Sequence, residues 1–280
     1  EAKELLPRLD DAILGRWFFL WDGKMNHMGR TSKGKKAPYV KPQDLKPGEW
    51  SFVRDHTRDK AGSTQIFGSF FVRLAAGQML ADARIFIPVR SAGVQFSGAN
   101  AHLVIRNITA THPYNDGFNI HGDCRDVVFE NIRAIECGDD GISAHESAEY
   151  RVDGLVSIGN STGITDTGTA KTTYRRVFLA DNLAFDLYFL NAGRYAVSDA
   201  VVLSSSEHSL HIAGGKDQRS ELRLDNVLIR RTGPTGSAAV AKDATLFARR
   251  FTIEGDKLKV DGKLDYDGSV AGRQELIASV

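Results

Sequence analysis

Cysteine is almost missing: the 280 residues hold only Cys124 and Cys137. Two thiols exclude a disulfide-stapled scaffold, which needs several bridges. Charge excess is missing too, because the formal net charge is +1 and the basic run Lys33-Gly34-Lys35-Lys36 is short. That run reads as a solvated loop, and nothing in it suggests a nucleic-acid partner. No apolar stretch approaches the ~18 residues needed to cross a membrane, so no membrane partner is expected. No signal peptide is visible, and a start at Glu1 rather than Met is expected of a chain whose leader was removed. Helix-length apolar periods are absent over most of the chain, which excludes a doubly wound α/β sheet. The fixed Leu scaffold of a leucine-rich repeat is absent as well.

What is present is a phrase written twice. Asn115-Asp116-Gly117-Phe118-Asn119-Ile120 returns as Asp139-Asp140-Gly141-Ile142-Ser143-Ala144, with Asp116 and Asp140 24 residues apart. Ile105-Arg106-Asn107-Ile108 and Phe129-Glu130-Asn131-Ile132 repeat in step with it. Apolar pairs recur at Val72/Leu74, Val94/Phe96, Phe118/Ile120, Ile142/Ala144, Ile164, Leu187/Phe189 and Leu210/Ile212, with steps of 22, 24, 24, 22, 23 and 23. A second family, Ile108, Ile132, Leu155, Val177, Val201 and Val227, keeps nearly the same step. Short strands at a period in the twenties, divided by Gly, Asn, Asp and Ser, predict an all-β right-handed parallel β-helix. Each coil adds a rung ~4.8 Å above the last. In this register Cys124 falls beside Ala148 and Cys137 beside Asn160, so buried free thiols are expected rather than a disulfide.

One solenoid domain is expected over residues 1–280. Residues 1–21 carry Leu5, Leu6, Leu9, Ile13 and Leu14 at helical spacing and predict an N-terminal helical cap. Trp17, Phe18, Phe19 and Trp21 then read as buried packing. Residues 22–69 have no periodicity and predict a loop or hairpin insertion, with strand-like Trp50-Ser51-Phe52-Val53 after a Pro-Gly turn. Regular coils are expected over 70–233. Residues 234–280 are expected to close the C-terminal end with hairpins, on the alternation and the Gly-Asp turns of 247–266.

Side chains alternate along a strand, so inward Phe118 and Ile120 turn Asn119 and His121 outward. One outward ladder is Asn119, Ser143, Thr165, Tyr188 and His211; the next begins with His121 and His145. Asp116, Asp139 and Asp140 stand at the turn entering the same strands. Carboxylates that close cannot all ionise without cost, so at least one is expected to keep its proton and serve as an acid. A lone Asp-Gly is ordinary turn chemistry, with Asp bonding its own backbone. Two aligned on consecutive coils and flanked by histidines point to glycan chemistry. Asp116, Asp139 and Asp140 are the candidate catalytic residues. Asn119, His121, His145, Glu146, Thr162, Tyr188 and His211 are the candidate substrate contacts, with a polysaccharide or oligosaccharide as partner and no cofactor.

Tyr114-Asn115-Asp116-Gly117-Phe118 and, one coil later, Asp139-Asp140-Gly141-Ile142 resemble two signature motifs of the polygalacturonase-type glycoside hydrolases, in the pectin-lyase-like β-helix superfamily. The segment Pro47-Gly48-Glu49-Trp50 looks like one found ahead of the coils in bacterial β-helix glycan enzymes. The resemblance implies an inverting glycosidase, secreted or periplasmic, with Asp140 or Asp116 as the acid. It spans residues 90–190 and includes two departures. Thr162 stands where the family has histidine, and Phe185 to Asn191 stand where it has an Arg-x-Lys clamp for a uronate carboxylate. A neutral or differently charged glycan is therefore expected. Two alternatives come from other classes. A polysaccharide lyase or uronate epimerase would use Ca²⁺ on Asp116, Asp139, Asp140 and Asp166, with Tyr188 as base. A non-catalytic carbohydrate-binding β-helix would bind without turnover.

Overall fold

The computed structural model describes residues 10–34, 36–60, 63–216, 218–267 and 277–278. Two parallel sheets climb together as a right-handed β-solenoid of about 7 turns. One sheet stacks short strands from Val94–Phe96 up to Ile277–Ala278, and the other stacks long strands from Ala101–Arg106 up to Lys263–Asp267. No helix among the described residues is long and apolar enough to cross a membrane.

The short sheet has the register that the apolar period predicts. Phe118 pairs with Ile142, Ile142 with Ile164, Ile164 with Leu187 and Leu187 with Leu210. All five have no exposed surface, and each such burial stabilises by about 1.5–3 kcal/mol. The predicted free thiols are found: Cys124 and Cys137 are buried and unbridged.

Each long strand is bent by one residue in the left-handed region. Asn107, Asn131, Gly154, Arg176, Asp199, Asn226 and Arg250 form this column, with φ between 48° and 91°. Six of the seven are not glycine, so the bend costs on the order of 1 kcal/mol per coil and is held by the pairing on either side. The repeated Asn107 and Asn131 of the sequence are this corner. Here the second ladder differs from expectation. Val177 pairs with Ala200, which pairs with Val227, while Val201 and Ile108 are 38% and 37% exposed. An inward alanine beside an outward valine misleads any reading of apolar period.

The ends also differ. Val72 pairs antiparallel with Trp50 in a hairpin of Trp50–Lys60 and Ser63–Val72, so Val72/Leu74 is not a rung and the first short strand is Val94–Phe96. The expected C-terminal hairpins are further coils instead. Ala244–Glu254, Lys257–Val260 and Lys263–Asp267 each pair in parallel with the coil before. Gly255 (φ 83°) turns a coil corner with the same residues a hairpin would use.

Of the expected N-terminal helix, Leu5, Leu6 and Leu9 lie outside the described residues. A single turn, Asp11–Gly15, is capped by Asp10 Oδ1 accepting from Ile13 N at 3.0 Å. Ile13, Leu14, Trp17 and Phe19 pack with Trp50, Phe52 and Ile66 as a small second core. The chain then crosses the outer side of the solenoid. Arg16 reaches Asp139, Ser32 N donates to Ser161 Oγ, and Gly34 lies against Ala184. Those contacts fall on three successive coils, so outward positions there are covered.

Ile142 is at the centre of the inward ladder. Ile142→Asp puts an unpaired charge between Phe118 and Ile164 and is expected to cost more than about 4 kcal/mol, enough to leave the chain unfolded. Circular dichroism melting measures it, and an unchanged midpoint would refute the register.

Candidate functional site

Asp116 and Asp140 occupy the same point of adjacent coils, two residues before Phe118 and Ile142, which pair. Asp139 precedes Asp140 at the turn. One oxygen from each of the three lies within 4.8 Å of the other two. Asp116, Asp139 and Asp140 are only 2%, 7% and 2% exposed, so repulsion acts in a medium that screens poorly.

A lysine answers that repulsion. Lys33 Nζ donates to Asp139 Oδ1 at 2.5 Å and to Asp140 Oδ1 at 2.6 Å. Arg16 Nη1 donates to Asp139 Oδ2 at 3.1 Å. Thr165 Oγ1 donates to Asp140 Oδ1 at 2.8 Å, and Ser143 Oγ donates to Asp116 Oδ2 at 2.7 Å. Asp116 Oδ1 also accepts from the Asp140 backbone N–H at 3.1 Å. The sequence reading assigned Lys33 to a solvated loop; it is instead the counterion of the cluster. Its ammonium already bonds two of the three carboxylates that a Ca²⁺ ion would have to share.

The three carboxyls are driven apart in acidity. Burial raises Asp116 to about 6, with Asp139 adding to the effect and Lys33, Ser143 and the Asp140 amide opposing it. Burial, then Asp139, pushes Asp140 well above the usual carboxyl range despite Lys33. Burial acts on Asp139 too, but Lys33 and Arg16 outweigh it and hold Asp139 below that range. Lys33 is lowered by burial and raised more strongly by Asp139, Asp140 and Asp116, so it stays charged. The expectation of one protonated acid beside an ionised neighbour is thus met in direction.

The candidate substrate contacts divide into two groups. Asn119 is 5% exposed and Thr162 fully buried, and the Thr162 hydroxyl has no hydrogen-bond partner among the described residues. Thr162 follows Ser161, which Ser32 contacts from the covering segment. His121, His145, Tyr188 and His211 are half-buried and Glu146 is exposed, so these five remain at the surface. His121 and His145 stack in parallel, 4.1 Å apart. Burial, and then His121, lowers His145 to about 4; burial also lowers His211 and raises Tyr188. Tyr188 packs on Phe185 at 4.2 Å, and His211 lies 5.4 Å from Tyr188. Where the resembling family carries cations, this chain has an aromatic terrace.

Sequence reasoning missed Lys33, Arg16, Ser143 and Thr165 as parts of the site. Ser143 and Thr165 follow from the ladder once the cluster is accepted. For Lys33 the only signal is charge accounting, since three clustered carboxylates require a cation from somewhere. A trough of about 550 Å³ on the long-strand sheet, lined by Arg151, Lys171, Arg194 and Arg223 among others, shares no residue with the cluster. Comparison with family models, with curated proteins and with solved structures returned no match.

Lys33→Met removes the ammonium and leaves Arg16 alone against three carboxylates. Removing one partner of a buried pair costs about 3–5 kcal/mol. The lowered pKa of Asp139 contributes stability above the unfolded carboxyl pKa of ~4, and that stability is lost as pH falls through the lower folded value. Asp116, raised to about 6, works oppositely and costs stability as pH rises through that value. The deficit of Lys33→Met is therefore expected to be largest at pH 7–8 and to shrink below ~pH 4, where the carboxyls protonate. Urea unfolding at both ends of that range measures it. Equal midpoints for variant and parent at pH 8 would show that Lys33 does not hold the cluster.

Proposed function

We propose that the chain is a glycan-processing enzyme of the glycoside-hydrolase type, with Asp116, Asp139 and Asp140 as its acid cluster. One observation carries this reading: two carboxyls are held toward the protonated form beside a third held ionised, next to His145, Tyr188 and His211. Environments that split neighbouring carboxyls in this way are how acid and base roles are assigned at one pH. Asp140 or Asp116 supplies the proton, and Asp139 with Lys33 fixes the local charge. The half-buried rings of Tyr188 and His211, backed by the buried Phe185, suit the apolar faces of a sugar. The absence of a cationic clamp favours a glycan without uronate carboxylates. Inverting enzymes place their two carboxyls about 6.5–9.5 Å apart to admit a water. The three carboxyls, with one oxygen of each within 4.8 Å of the others, are closer than that, so in this reading they act together on the proton-donating side.

A specific observation favours a second reading, a non-catalytic carbohydrate-binding β-helix. The acids are nearly sealed and Lys33 bonds two of them directly. In that reading the cluster ties residues 16–34 to the coils and the terrace alone meets the glycan.

A panel of neutral and acidic polysaccharides, assayed for new reducing ends and for the ultraviolet absorbance of unsaturated uronides, separates hydrolysis, elimination and binding alone. Hydrolysis of a neutral glycan is expected, with polygalacturonate left uncut. Asp140→Asn and Asp116→Asn should each lower turnover on the order of 10²-fold or more. Stability at pH 8 should hold or rise for Asp116→Asn as repulsion is relieved, while Asp140→Asn also loses its bond to Lys33 and should stay folded with a lower midpoint. The double variant should lose little more than either alone, because groups acting as a unit are not additive. Near-native turnover in both single variants would return the aspartates to a structural role.

A further inference from the structure

Burial is an obstacle to chemistry at Asp116, which is 2% exposed, and a hydrogen-bonded path leads out of it. Ser143 Oγ lies 2.7 Å from Asp116 Oδ2, and His145 Nε2 lies 3.2 Å from the same Ser143 oxygen. We propose that Ser143 and His145 form a proton relay joining buried Asp116 to the outer face, where His145 Nδ1 exchanges the proton with a glycosidic oxygen or water. The inference rests on the glycan-processing reading of this cluster and gives its acid a way to reach substrate.

The geometry fixes the polarity of the path. Ser143 has one hydroxyl proton and two acceptors in reach, Asp116 Oδ2 at 2.7 Å and Asn119 Oδ1 at 3.4 Å. The closer, charged acceptor takes it when Asp116 is ionised. The serine oxygen then accepts from His145, so the imidazole carries its proton on Nε2. When Asp116 is protonated the chain reverses: Asp116 donates to Ser143, Ser143 donates to Nε2, and the imidazole proton sits on Nδ1. Moving from the first state to the second passes two protons along the path, Nε2 to Ser143 and Ser143 to Asp116, while Nδ1 takes up a third from solvent. In the acid step Nδ1–H gives its proton to the leaving oxygen, which keeps the electron pair of its broken bond to the anomeric carbon. In the same step Ser143 protonates Nε2 and Asp116 protonates Ser143, so the imidazole stays neutral and Asp116 is left ionised. The water that adds to the anomeric carbon returns one proton to solvent, from which the relay reloads.

The surroundings of His145 suit a conduit rather than a store of charge. His121 stacks on it at 4.1 Å and 4°. Burial first, then His121 and Lys33, disfavour its cation, while Glu146 and Asp139 oppose them less strongly. Glu146 positions the pair. Its Oε1 lies 3.3 Å from His121 Nδ1, and its Oε2 accepts from Gly122 N at 2.5 Å. It holds φ 54° in a corner column that is glycine at 98, 122 and 168. A side chain at a site where glycine serves the neighbouring coils costs on the order of 1 kcal/mol. That strain is retained where the carboxylate holds His121 against His145.

The relay makes the His145 tautomer a reporter of Asp116. Long-range ¹⁵N–¹H imidazole spectra of the ¹⁵N-histidine-labelled chain, assigned with His145→Gln, read it without any substrate. The expected result is Nε2–H at pH 8, passing to Nδ1–H near pH 5 as Asp116 titrates around 6. Asp116→Asn and Ser143→Ala should each abolish the switch, with melting curves confirming that both variants fold. A His145 that keeps one tautomer over this range in the parent chain, or that switches equally in Ser143→Ala, overturns the relay. Where a substrate is found, Ser143→Ala should lower kcat at least tenfold with little change in KM. A tautomer switch without turnover on the panel would uphold the relay and remove the hydrolase reading.

Discussion

Every coil must set its residues directly above those of the coil before, and that stacking governs the rest of the molecule. Parallel pairing repeats each side chain at ~4.8 Å, so whatever one coil presents the next one meets at contact distance. Inside, the rule is favourable: Phe118, Ile142, Ile164, Leu187 and Leu210 meet like with like and exclude water. Outside, the same rule sets Asp116 against Asp140 and His121 against His145. A solenoid tolerates such pairs only with a third group between or beside them. Lys33 and Arg16 serve the carboxylates, and Glu146 serves the histidines. The N-terminal segment is thereby tied to coils far from it in sequence.

How much of this was legible depended on whether a feature was carried by the repeat. From Val94 to Leu210 the inward ladder of the short sheet is legible in the sequence, because its period is fixed by apolar side chains that cannot move without exposing a core; Val72/Leu74 keeps the same step by coincidence. Ala200 was not read, because alanine marks an inward position weakly and Val201 beside it is the better hydrophobe. The C-terminal coils look like hairpins in the sequence because Glu254-Gly255-Asp256 turns a chain equally well in either topology. Strand direction is decided by the partner, and the partner is not written in the turn. The aspartate cluster was legible as a repeat of one motif in register. Its burial was not, since parity along a strand says which way a side chain points and not what lies on top of it. Lys33 sits in an aperiodic segment, and only long-range folding brings it to Asp139 and Asp140.

Buried carboxyls elsewhere in the fold show how far acidity alone can be read as function. Asp166 lies inside the solenoid and is raised to about 7, chiefly by burial, with Thr172, Tyr174, Tyr150 and the Ala144 amide donating to it. Asp186 is raised to about 6 by burial against Ser204, Asn182 and Ser206. Among the described residues neither bonds a second carboxyl, and both accept from several donors of the chain. Their protonation answers to packing, and any residue placed there would respond alike. A raised carboxyl in this molecule is thus ordinary, and the shift of Asp116 taken singly says little.

What separates the cluster at Asp116 is contrast and connection. Within 4.8 Å, Asp139 is held down while Asp116 and Asp140 are held up, which packing alone does not produce; Asp139 has both Lys33 and Arg16, Asp140 has Lys33 alone, and Asp116 bonds neither. The connection is equally particular. The bonds of Asp166 end on Tyr150, Tyr174 and Thr172, and those two tyrosines and the threonine are buried in their turn. The bond from Ser143 to Asp116 continues to His145, a half-buried ring at the edge of the outer face. A carboxyl walled in by core hydroxyls can only exchange its proton when the fold opens. One bonded to a surface imidazole can exchange it while the fold stays shut, and that difference is the physical basis for placing chemistry at Asp116 and not at Asp166.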